Sequence, residues 1–79
     1  MGRAMYHTIA FAKDIQVDLE ISPKHRLEQT LLHKGTRCEA QIKPYVVESD
    51  DGPVEVADLF FADSSTARSV PFACFSFVE

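Results

Sequence analysis

Ile15-Gln16-Val17-Asp18-Leu19-Glu20-Ile21-Ser22-Pro23-Lys24-His25-Arg26-Leu27-Glu28-Gln29-Thr30-Leu31-Leu32-His33-Lys34-Gly35 is the stretch on which the fold class turns. Its first seven residues alternate strictly, with Ile15, Val17, Leu19 and Ile21 apolar and Gln16, Asp18 and Glu20 polar. That is the pattern of a strand with one dry and one wet face. Ser22-Pro23 then changes the period. Serine suits a helix N-cap, and proline suits the first helical position because its missing N–H would be unpaired there anyway. Leu27 and Leu31 stand at i and i+4 beside Leu32, a stripe able to face a sheet. His33 and Lys34 fall where positive charge suits a helix C-terminus, and Gly35 suits the residue after it. The reading is a helix over about Pro23–Lys34, with Leu27 and Leu31 packed on Ile15, Val17, Leu19 and Ile21. That makes the class α+β.

Outward from this stretch the pattern is all strand. Met5–Phe11 alternates weakly and precedes a turn at Ala12-Lys13-Asp14. Thr36–Val47 returns to period two through Cys38, Ala40 and Ile42, with Pro44 marking an edge, a bulge or a corner. Ser49-Asp50-Asp51-Gly52-Pro53 is a turn. Two apolar runs follow, Val54–Phe61 and Val70–Val78, joined by Ala62–Ala67. The second reads as one terminal strand with Phe72, Cys74 and Val78 on one face and Phe75 and Phe77 on the other. The expected order is β-β-α-β-β-β, a small antiparallel sheet curling toward a five-stranded half-open barrel. In general outline this resembles small SH3-like and OB barrels, at the level of fold alone and with no shared motif.

Seventy-nine residues make a single domain, residues 1–79, with a thin core that oligomerisation would help to stabilise. Met1–Ala4 reads as an appended or flexible start, with Met5 as the native one. No apolar run approaches the ~20 residues of a membrane span, so no membrane partner is expected and the compartment reads as cytoplasmic. Cys38 and Cys74 lie within apolar alternation and read as buried thiols, outside any metal or Cys-x-x-Cys spacing. Residues 1–43 carry seven Lys/Arg and five Asp/Glu, and residues 44–79 carry one and seven. An acidic chain without a basic cluster is not expected to hold nucleic acid, because counterion release needs clustered Lys/Arg.

Little in the chain points to chemistry. His25 and His33, eight apart, would sit ~12 Å apart along a helix, too far to share one metal. No Gly-x-Ser-x-Gly elbow or glycine-rich phosphate loop occurs, and Ser64-Ser65-Thr66 reads as turn chemistry. The Asp50-Asp51-Gly52-Pro53 run does not fit a calcium loop. No catalytic residue, metal or cofactor is expected. Asp58 interrupts an apolar strand and is expected at an edge, or paired with Arg68 across a hairpin.

The expectation is therefore a non-catalytic module that binds a protein partner or itself. Phe72, Phe75, Phe77 and Val78 would form the interface, most simply of a homodimer. One alternative is an acidic inhibitor or nucleic-acid mimic docking through Glu48, Asp50, Asp51, Glu55, Asp58 and Asp63. Another is a small-ligand binder with a pocket lined by Phe60, Phe61, Phe72, Phe75 and Phe77.

Overall fold

The computed structural model describes residues 5–21 and 26–78. Their regular structure is nearly all strand: β1 (His7–Phe11), β2 (Ile15–Ile21), β3 (Arg26–Leu32), β4 (Arg37–Ser49), β5 (Gly52–Phe61), β6 (Ser65–Pro71) and β7 (Phe75–Phe77). A single 3-10 turn, Phe72–Cys74, separates the last two. The strands form one antiparallel sheet in the order β3-β2-β6-β5-β4-β1-β7, curled into an open half-barrel.

The expected α+β class is thus corrected. Where a helix was expected, Arg26–Leu32 is a strand, paired residue for residue with β2 from Ile15↔Leu32 to Ile21↔Arg26. Leu27 lies opposite Glu20 and Leu31 opposite Gln16, on the wet face of β2 rather than its dry one. They are 66% and 50% exposed. A spacing of four residues is two full strand repeats as well as one helical turn, so the leucines satisfy both periods. The pairing with β2, a long-range contact, decides between them. The start of the expected helix, Pro23–His25, lies outside the described residues.

The register assigns the faces. Ala40, Leu59 and Ala67 lie opposite Phe61, Ile42 and Leu19 and turn into the concave side. There Ile9, Phe11, Ala57, Leu59, Val70 and Phe75 form a closed core, and Ile15, Val17, Leu19 and Leu32 pack partly buried against it. Pro44 stands in β4 opposite Ala57, beyond the point at which β1 begins opposite Ala40, so its missing donor falls on an edge. The turn at Asp50-Asp51 joins Ser49 to Gly52, whose φ of 109° only glycine adopts readily.

The expected single terminal strand is also corrected. Pro71 ends β6, the 3-10 turn redirects the chain, and β7 pairs with β1 at the far edge of the sheet. The turn breaks the alternation, so Cys74 and Phe75 are both buried instead of lying on opposite faces. Phe77, opposite Ile9 at the sheet margin, stays 49% exposed.

Candidate functional site

The convex face of β4, β5 and β6 is organised around a charge. Asp58 is only 8% exposed, between Ala57 and Leu59 of the core. The ladder shifts here: Ala57 pairs with Val70 but Leu59 with Ala67, so Arg68 and Ser69 together oppose Asp58. This is a β-bulge, and Ser69 takes the left-handed φ of 58° usual for a glycine at such a position. The Ser69 amide donates to Asp58 Oδ1 at 3.0 Å, and the Tyr45 hydroxyl donates to the same oxygen at 2.8 Å. With that hydrogen committed, the Ser69 hydroxyl donates to Tyr45 Oη across 2.6 Å. Arg68 Nη1 reaches Asp58 Oδ2 at 3.3 Å, while its Nε and Nη2 each lie 3.0 Å from Glu20 Oε1. Burial pushes the Asp58 carboxyl up, but the Ser69 amide, the Tyr45 hydroxyl and the charges of Arg68 and Lys43 outweigh it and hold the group below its usual range. Of the two expectations for Asp58, the pair with Arg68 is present, and the solvent-facing edge position is not, because β5 lies between β6 and β4. The Tyr45 and Ser69 bonds carried no sequence signal beyond residue type.

The bulge also shapes a cleft. β2 and β6 pair only over Leu19–Ile21 against Ser65–Ala67, and beyond that the strands part. The wedge between them is about 610 Å³, with Arg68 and Glu20 on its wall and Val70 and Cys74 at its base. Across the concave side lies a second, more apolar hollow of about 290 Å³, lined by Leu19, Leu32, Cys38 and Phe61, with Asp63 at its rim. Burial, and then the negative charge of Asp63, raise the Cys38 pKa, so its sulfur is a neutral thiol and a poor nucleophile at neutral pH. Asp63 itself is held low by the Ser65 hydroxyl and backbone bonds, which outweigh burial. Of the phenylalanines expected to line a pocket, Phe61 lines the second of these two hollows, and Phe60, Phe72, Phe75 and Phe77 line neither.

Among the described residues, two sheet edges are open. β7 is three residues long, and its Phe77 ring packs edge-on against His7 at 5.5 Å. β3 is seven residues long, pairs with β2 on one side, and turns Leu27 and Leu31 outward. Its other face carries Arg26 and Glu28, whose charged groups stand 4.0 Å apart. The sequence pattern marks both leucines as apolar but points them at the core, and the register of β3 on β2 turns them to solvent.

The acidic residues divide into three places. β1 begins opposite Ala40 and β6 ends opposite Val56, so among the described residues, residues 46–55 of β4 and β5 pair only with each other, as a two-stranded arm. Glu48, Asp50, Asp51 and Glu55 are all exposed on it. Asp58 is buried in the network at its base, and Asp63 lies at the opposite end of β5. Of the expected interface residues, Phe75 belongs to the core, Phe72 and Val78 are half-buried, and Phe77 remains available.

Among the described residues no helix is long and apolar enough to cross a membrane, and no three His, Cys, Asp or Glu side chains gather as a metal site. His25 lies outside the described residues, and His33 sits in the turn after β3. Comparison with family models, curated proteins and solved structures finds no match.

Proposed function

We propose that this chain is a non-catalytic assembly module that associates with a second copy of itself through the open edge of its sheet. One observation carries the reading: β3 is a seven-residue edge strand that turns two leucines into solvent. An unpaired edge is a template for another strand, and proteins that must stay apart shorten such edges or break them with proline or inward charge. β7 is shortened in this way, whereas β3 is seven residues long with no proline in it, and the two charges it carries inward are of opposite sign. Arg26 and Glu28 offset each other on its inner face. Leu27 and Leu31 therefore replace the carboxy-terminal phenylalanines as the centre of the interface, and Phe75 is left to the core. A seven-residue edge predicts a weak, reversible dimer rather than an obligate one. Sedimentation equilibrium of wild type and of Leu27→Glu tests it. A concentration-dependent dimer in wild type and a folded monomer in the variant are expected, whereas a wild-type monomer up to millimolar concentration contradicts the reading.

The acidic arm supports a second reading. Residues 46–55 carry four carboxylates and no cationic side chain, on a hairpin that no other strand among the described residues braces. Such an arm suits a basic groove on a partner protein. Binding of that kind weakens steeply between 10 and 150 mM salt, since screening sets in at about 10 Å near 0.1 M. A salt-insensitive complex would remove this alternative.

A further inference from the structure

We propose that the second copy adds to β3 in one register, antiparallel about a twofold axis through Gln29. The inference deepens the self-association just proposed, and it rests on that reading. The outward residues of β3 are Leu27, Gln29 and Leu31, because they lie opposite Glu20, Asp18 and Gln16 on the wet face of β2. They read the same in both directions. A twofold pairing centred on Gln29 therefore sets each Leu27 against the partner copy's Leu31, and the two Gln29 amides against each other. On the inner face it sets Glu28 against Thr30 and Arg26 against Leu32, so no carboxylate stands directly opposite another. Centring on Glu28 would oppose two carboxylates and separate the leucines. Centring on Thr30 would set Leu31 against Gln29 and leave Leu27 without an apolar partner. Centring between two residues would bring the outer face of one copy beside the inner face of the other, because a one-residue slip reverses every side chain. Gln29 is thus the centre that matches both leucines and keeps the faces continuous. The contact is isologous, so it closes at two copies.

Cysteine crosslinking reads the register directly. Residues directly opposite in an antiparallel ladder have Cα atoms about 4.5–5.5 Å apart, within the span of a disulfide. In this register Gln29→Cys meets its own copy. Glu28→Cys and Thr30→Cys are each offset from their copies by two residues, about 8 Å, beyond that span. Under mild oxidation Gln29→Cys should form a covalent dimer at least tenfold faster than either neighbour. A mixture of Glu28→Cys with Thr30→Cys should form the heterodimer faster than either forms its homodimer. Wild type, with Cys38 and Cys74, is oxidised in parallel, and peptide mapping locates the bridge. If wild type dimerises but Gln29→Cys links no faster than its neighbours, the register is wrong while self-association stands. If wild type is monomeric by sedimentation, both fall.

Discussion

The Ser69 amide donates to the Asp58 carboxylate at 3.0 Å, across a bulge in which Ser69 holds a φ of 58°. A non-glycine residue in that region costs roughly 1–2 kcal/mol, and a charge-assisted bond to a buried carboxylate offsets a cost of that size. The same carboxylate binds Tyr45 and Arg68, so one side chain fixes the bulge, the base of the acidic arm and the wall of the cleft.

Asp58→Ala leaves the Ser69 amide and the Tyr45 hydroxyl without their acceptor. Ser69 is exposed and Tyr45 half-buried, so each loss falls toward the low end of the about 1–3 kcal/mol that a fully buried unpaired donor costs. Urea denaturation should show a loss of about 2–4 kcal/mol. A loss below about 0.5 kcal/mol would mean that the bulge stands without its anchor.

Ser69→Gly and Ser69→Ala both remove the hydroxyl, so comparing them isolates the backbone. In an ordinary strand glycine is the worse of the two. At a positive φ the order reverses, and the glycine variant should be the more stable by about 1 kcal/mol. Thermal or urea unfolding of the pair checks the sign.

The pH dependence follows from Asp58, whose folded pKa is depressed. Its stabilisation is complete above the unfolded carboxyl value, ~3.9, and disappears as pH falls through the lower folded value. Wild-type stability should therefore drop below about pH 4. Asp58→Asn should be less stable at pH 7 and show a shallower drop in acid. Parallel acid titrations followed by circular dichroism measure both slopes.

The leucines separate the observed strand from the helix that sequence favours. Leu59 is fully buried, and Leu59→Ala should cost about 2–5 kcal/mol. Leu27→Ser and Leu31→Ser sit on solvent and should stay within about 0.5 kcal/mol of wild type in the monomer. Had these leucines covered β2 from a helix, they would cost as much as Leu59. Urea melts at low micromolar concentration make the comparison.

Much of the sheet was legible because period two is unambiguous over Ile15–Ile21 and Arg37–Ile42. The Asp58–Arg68 pair was legible too, as opposite charges flanking a short connection. Arg26–Leu32 was not, because a spacing of four fits both periods, and Ser22-Pro23 and Gly35 punctuate turns as well as helices. Gly35, with φ of 87°, does end an element, but that element is a strand. The break after β6 carried a signal in Pro71, which reads as a bend, yet the apolar run across it suggested continuity. The open edge was not legible, since which strand lies outermost is set by the pairing of β2 with β6 and of β1 with β7.

Amide hydrogen exchange of β3, measured at several protein concentrations, reports whether a second copy pairs with its open edge. Half of the β3 amides point to β2, and the other half point to the open edge, as alternation in an antiparallel ladder requires. Edge-strand pairing with a second copy predicts that protection of the outward amides rises with concentration between about 10 μM and 1 mM, while the inward amides change little. Exchange at the outward amides that is identical across this range would contradict it.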